Sequence, residues 1–235
     1  MINCLIICQI KHIKIFNKKE IKLKNFKNII FDLDGTLLDS MKAWRNLGQD
    51  YLINMGINPP EDLFEIIASM SMHESAVYFQ NAFKIELSED EIISGVKKLI
   101  EFKYKNELKL KPYVREYLQK LKNENITMCI ATATPLNMAI DALKRNEIID
   151  YFSFISSCDQ VGVGKNKPDI FYYAANKLNA KTSDIAVYED ADFALITAKE
   201  AGFYTIGVYD EFFQNKRKDI EIISDVYIES FKELL

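Results

Sequence analysis

Residues 28 to 39 read NIIFDLDGTLLD, an apolar run that ends in two carboxylates, Asp32 and Asp34, beside a glycine. Side chains alternate along a strand, so Asp32 and Asp34 face one way and Leu33 the other. Like charges so close are tolerable only where a cation or a shared proton offsets their repulsion. A hard divalent ion, Mg2+ above all, suits such oxygen ligands. Gly35 permits a tight turn out of the strand, and Thr36 brings a hydroxyl near it. Asp and Gly are also common at ordinary strand-end turns, so the pair alone leaves both readings open.

Three later stretches carry residue types that complement paired acids. Met128 to Thr132 is a buried-strand pattern ending in a hydroxyl, followed by Ala133, Thr134, Pro135 and a helical pattern. A hydroxyl with free amides at a helix start can hold a phosphate, although Thr is equally at home as a simple cap. Val161 to Asp169 (VGVGKNKPD) is a glycine-rich loop whose lysines, Lys165 and Lys167, offer compact positive charge suited to a phosphoryl group. Ile185 to Asp190 (IAVYED) is a strand that delivers adjacent acids, Glu189 and Asp190, at its carboxyl end. Neighbours on a strand face opposite ways, so only one of them can point at a given ion unless the chain turns there.

The elements that must position these residues follow an α/β rhythm. Strand patterns fall at Ile29 to Leu33, Ile126 to Ala131, Phe152 to Ser156, Ile185 to Tyr188 and Thr205 to Tyr209, with a last edge strand at Val226 to Ile228. Helical patterns fall between them, at Pro112 to Asn123, Leu136 to Asn146, Asp169 to Leu178 and Ala191 to Ala201, the last closed by Gly202. Alternation with short connections predicts an α/β fold: a Rossmann-like, doubly wound parallel sheet covered on both faces. Between the first two strands lie only amphipathic patterns, at Met41 to Met55, Leu63 to Ser69, Ser75 to Phe83 and Glu89 to Lys105. These predict an inserted α-helical domain over residues 41–109, with the core formed by 27–40 and 110–235 and an N-terminal extension over 1–26. An insertion there overhangs the carboxyl ends of the strands, where open α/β sheets bind ligands, and would act as a lid. The alternative is that these helices belong to the core.

Bulk properties exclude several classes. With 235 residues, 49% of them hydrophobic, the chain can bury one substantial core, or one core plus a small accessory domain. A net charge of −4 and a pI near 5.4, with both signs interspersed, give no surface for nucleic acid. Cys4, Cys8, Cys129 and Cys158 form no CxxC pair, which fits a reducing cytoplasm, and Cys129 reads as a buried thiol. Two histidines, His12 and His73, are too few for a histidine metal cluster. The apolar run Leu5 to Ile10 is too short to span a membrane, and no cleavage signal follows it.

In order, DLDGT with LLDS, the Thr132 strand, the Lys165 loop and Glu189-Asp190 resemble the four motifs of the haloacid dehalogenase superfamily, in particular its helical-cap phosphatase and β-phosphoglucomutase subgroup. The resemblance runs from about residue 27 onward. It implies a Mg2+-dependent phosphatase for small phosphorylated metabolites, sugar phosphates above all, with Asp32 as nucleophile and Asp34 as general acid/base. It further implies metal ligation by the Asp32 carboxylate, the Asp34 carbonyl and Asp190, and phosphoryl binding by Thr132, the backbone at Ala133, and Lys165, with Glu189 as an adjacent acid. Thr134 is the next claimant for the Thr132 position. Asn166, Ala133, Ala191 and Ala194 stand where relatives often have Pro, Asn, Ser and Gly. The second acid, Asp34, argues against dehalogenation.

The rival within the family is a β-phosphoglucomutase-type phosphomutase. Where that enzyme carries a linker His and a cap Arg, this chain has Trp44 and Met72; Arg45 or His73 would have to substitute. A different class of reading is a non-catalytic phosphate-ligand binding protein on the same fold. The sequence leaves the oligomeric state open, with a monomer favoured, and its charge and hydropathy lead us to expect neither a nucleic-acid nor a membrane partner.

Overall fold

The computed structural model describes residues 25–235, Ser69 excepted. The readings made on residues 1–24, including the run Leu5 to Ile10, Cys4, Cys8 and His12, lie outside the described residues.

Six strands form one parallel sheet: β1 (Asn28–Phe31), β2 (Thr127–Thr132), β3 (Phe152–Ser157), β4 (Ile185–Glu189), β5 (Tyr204–Val208) and β6 (Val226–Ile228). Their order across the sheet is β3-β2-β1-β4-β5-β6, with β6 at an edge. Strand alternation divides β1 between two cores. Ile29 and Phe31 pack on the face covered by α6 (Val114–Asn123) and α7 (Leu136–Arg145), whereas Ile30 packs on the face covered by α8 (Asp169–Leu178) and α9 (Asp192–Glu200). A last helix, α10 (Arg217–Ile223), packs beside α9. Because β1 lies between β2 and β4, the chain order reverses at β1, and the crevice that opens at such a reversal falls beyond the ends of β1 and β4.

Five helices are inserted between β1 and α6: α1 (Met41–Arg45), α2 (Leu47–Asn54), α3 (Leu63–Ile67), α4 (Met72–Phe83) and α5 (Glu89–Asn106). The apolar period of residues 41 to 55 predicts one helix, but Asn46 leaves helical geometry (φ −91°, ψ 3°) and splits it. The break separates Trp44, whose indole reaches α5, from Leu47, Tyr51 and Leu52, which are buried. Helix α6 begins two residues after Pro112, because Tyr113 takes the left-handed conformation (φ 66°) at the corner. Helix α4 begins at Met72 rather than Ser75. Ser71 caps it, accepting a hydrogen bond from the Glu74 amide while the Glu74 carboxylate accepts one from the Ser71 amide. Ser71→Ala is expected to cost about 1 kcal/mol, read as a lower denaturation midpoint with unchanged slope.

Among the described residues no helix is long and apolar enough to cross a membrane. Cys129 and Cys158 are buried free thiols.

Candidate active site

The strand pairing of β1 runs one residue past its end, since the Asp32 amide donates to the Tyr188 carbonyl at 2.9 Å. The chain then folds back at once. The amides of Leu37 and Leu38 donate to the Leu33 carbonyl at 3.0 and 2.8 Å, and the Gly35 amide donates to Leu38 at 3.0 Å. Gly35, with φ +77°, makes this turn possible. Asp32 and Asp34 are therefore not two rungs of a regular strand. Asp32 sits at the strand end and Asp34 in the turn, and each carboxylate has its own set of partners.

Asp32, 6% exposed, meets the amine of Lys165, 5% exposed, which also bonds Glu189 Oε1. The other Glu189 oxygen accepts the Asp190 amide at 3.1 Å, so Glu189 holds the lysine from behind rather than facing the crevice. Asp190 lies beyond it, 2% exposed, its Oδ1 accepting the Thr36 hydroxyl at 3.1 Å. Asp34 is bound by three hydroxyls: Ser40 to Oδ1 at 2.7 Å, Thr134 to Oδ2 at 2.6 Å, and Tyr104 to Oδ1. Thr132 is buried, and its Oγ1 accepts the Thr134 amide at 3.0 Å, which orders the turn that presents Ala133 at the surface.

Electrostatically the centre holds too much negative charge. Burial, and then Glu189 beside it, pushes Asp32 up to about 8 despite the amine of Lys165. Asp190 is raised well above the usual carboxylate range by burial, with Asp32 and Glu189 adding to it. Burial alone would lower Lys165, but Asp32 and Glu189 hold it above its ordinary value. The Lys165 ammonium thus contacts two of three buried acids, and Asp190 is opposed only by the more distant Lys111. Asp32, Glu189 and Asp190 each offer an oxygen, all within 4.8 Å of one another. Asp190 Oδ2 is buried without a hydrogen-bond partner among the described residues, and Gly35 leaves room for it: a Cβ there would stand 2.1 Å from that oxygen. An all-oxygen donor set with an orphaned, buried carboxylate oxygen fits a hard divalent cation. The orphaned oxygen favours Asp190 over Glu189 as the ligand from β4, since both Glu189 oxygens already have partners.

The inserted helices bring different chemistry from what their sequence suggests. The Trp44 indole N–H donates to the Tyr104 hydroxyl at 2.9 Å. Arg45 pairs with Glu65 at 2.9 Å and lies over the Phe64 ring at 5.1 Å. His73 meets Glu89 at 2.6 Å, and Met72 is largely exposed at the start of α4. Sequence reading singled out neither Ser40 nor Tyr104. Ser40 closes the LLDS run of the first motif, but nothing in the sequence gives its hydroxyl a partner. Tyr104 falls in step with Ile92, Val96 and Ile100, a buried stripe at four-residue spacing, and so reads as core.

The family model for haloacid dehalogenase-like hydrolases matches residues 29–208. A phosphorylated carbohydrates phosphatase of Thermotoga maritima is 30% identical over 182 residues, 76% of this chain and 82% of that protein. A β-phosphoglucomutase of Bacillus subtilis is 31% identical over 192 residues, 77% of this chain and 83% of that protein. Among solved structures, a Thermotoga maritima protein provisionally named β-phosphoglucomutase superposes with a TM-score of 0.75 at 27% identity, covering 88% of this chain and 96% of that one. The match spans β1 through β5, including every residue of the buried acid and lysine cluster, and the chain belongs to the haloacid dehalogenase-like hydrolases.

Proposed function

We propose that this chain is a Mg2+-dependent phosphatase that hydrolyses small phosphomonoesters, sugar phosphates first among them, through a phosphoaspartate on Asp32. The observation that carries the reading is the buried contact of Asp32 with Lys165, beside an Asp190 carboxylate that has one oxygen without a partner.

Asp32 attacks phosphorus in line, and the P–O bond to the leaving group breaks as the new P–O bond forms. Asp34 gives its proton to the departing alkoxide. It then takes a proton from the water that attacks the phosphoaspartate, which returns Asp32 as a carboxylate and releases phosphate. Lys165, fixed by Glu189, and Thr132 with the backbone at Ala133 bind the non-bridging phosphoryl oxygens as charge builds on them. Asp32, Asp190 and the Asp34 carbonyl would hold Mg2+, which when bound neutralises phosphate and carboxylate charge together. Residues 41–109 form a cap that closes over this centre, with 27–40 and 110–235 as the core.

Among the described residues of the cap, none favours the phosphomutase reading. A mutase needs a second anion site, yet Arg45 and His73 are already engaged by Glu65 and Glu89, and Trp44 directs its N–H at Tyr104. The names of the relatives favour phosphorylated carbohydrates as substrates. The test is release of inorganic phosphate from a panel of sugar phosphates and 4-nitrophenyl phosphate, with Mg2+ and after chelation with EDTA. We expect turnover to require Mg2+ and to return when it is restored. No hydrolysis of any member in Mg2+ would leave a binding protein; interconversion of glucose 1-phosphate and glucose 6-phosphate would leave a mutase.

A further inference from the structure

We infer that Tyr104 is a positioning residue for the Asp34 carboxyl, through which the inserted helices set the acid/base; the inference rests on the phosphatase reading. Tyr104 is fully buried at the end of α5, where Ile92, Val96 and Ile100 continue the same face toward the helix start. A phenol placed so deep must have its hydroxyl satisfied, and counting protons fixes how. The hydroxyl oxygen accepts the Trp44 indole N–H at 2.9 Å, so its single proton is free to go elsewhere. It goes to Asp34 Oδ1. Thr134 has its own single proton committed to Asp34 Oδ2 at 2.6 Å, so the 3.2 Å approach of Tyr104 to Thr134 is contact rather than a further bond.

Asp34 is thus oriented from three segments: Ser40 in the linker, Thr134 after β2, and Tyr104 on α5. Tyr104, backed by Trp44, is the arm that α5 supplies, whereas Ser40 stands at the N-cap of α1. Moving α5 away from the sheet breaks that arm and leaves the other two. The acid/base is therefore fully oriented only while the Tyr104 end of α5 is seated. The Tyr104 ring itself packs edge-on against Trp44, with centroids 6.2 Å apart.

The test uses Tyr104→Phe, which keeps the ring and removes only the hydroxyl, in the full chain with Mg2+. Two probes separate orientation of the acid from general damage: glucose 6-phosphate, whose alkoxide needs a proton to leave, and 4-nitrophenyl phosphate, whose phenolate does not. We expect kcat for glucose 6-phosphate to fall about 10- to 100-fold with KM nearly unchanged. The first-turnover release of 4-nitrophenolate should keep its rate. Equal losses on both probes, a change in KM alone, or no change would each overturn the assignment. Should Tyr104→Phe fail to fold, Trp44→Phe removes the donor behind Tyr104 along with part of the ring, and the same split between probes, smaller in size, is required of it, because lost packing alone would lower both probes together. Asp32→Asn tells the two readings apart. If it leaves turnover intact, Asp32 is not the nucleophile, and the phosphoaspartate mechanism on which the inference rests fails. If it abolishes turnover while Tyr104→Phe changes nothing, only the role of Tyr104 fails.

Discussion

Asp32→Asn is expected to lower turnover by at least about 10^4-fold while leaving the protein as stable as before or more so. The amide has the size of the carboxylate but cannot attack phosphorus or form the acyl phosphate. The stability half of the prediction follows from the charge around it. Burial and Glu189 push Asp32 up to about 8, far above its ordinary value, so in the absence of metal the folded protein binds a proton there that the unfolded chain has lost. Stability from this group is fully present below the unfolded carboxylate range, near pH 4, and is lost as pH rises through about 8. Asparagine carries no such charge. In EDTA, the melting temperature of the original protein should fall between pH 5 and 8 more steeply than that of Asp32→Asn, with phosphate release measured in parallel after Mg2+ is restored. Retained turnover in a clean preparation would remove Asp32 from the role of nucleophile.

The acids at the strand ends were legible in the sequence because backbone geometry alone sets their place. A parallel strand that ends in Asp or Glu delivers it to one edge of the sheet, and the reversal of chain order at β1 puts the ends of β1 and β4 side by side. The buried cluster of Asp32, Glu189 and Asp190 is the product of that topology. Lys165 was legible only through the family resemblance, since by residue type it reads like the other solvated loop lysines of this chain, Lys167 included. Residues that reach the centre from the inserted helices gave no such signal. Tyr104 obeys the period of an apolar face, so its hydroxyl is invisible until the helix is docked and the indole of Trp44 is found behind it. The helix break at Asn46 is hidden likewise, because apolar residues recur at helical spacing on both sides of it. Periodicity reports which face is buried, not what that face meets, and the partner is decided by packing between segments distant in sequence.

The turn at Gly35 supplies the second large effect, because the same residue serves the backbone and the acid behind it. Gly35→Ala places a Cβ 2.1 Å from Asp190 Oδ2, 2.6 Å from its Cγ and 2.9 Å from Met41 Cγ, and no carbon sits that close to a carboxylate. Either Asp190 swings away from Asp32 or the turn opens and carries Asp34 with it; both spoil the oxygen set proposed to hold Mg2+. We expect turnover to fall about 100-fold or more, in line with losses from misplaced ligands, and Mg2+ to raise the melting temperature of the variant far less than that of the original protein. A left-handed alanine is itself strained, by about 1 kcal/mol, so the loss needs a control with the same strain and no contact. Gly56 provides it: its φ is also +77°, at the end of α2, and a Cβ there meets nothing within 4 Å. Gly56→Ala should show the backbone cost in denaturant and keep both turnover and the response to Mg2+. If the two variants lose activity alike, the turn matters only as backbone, and the crowding of Asp190 does not control the site.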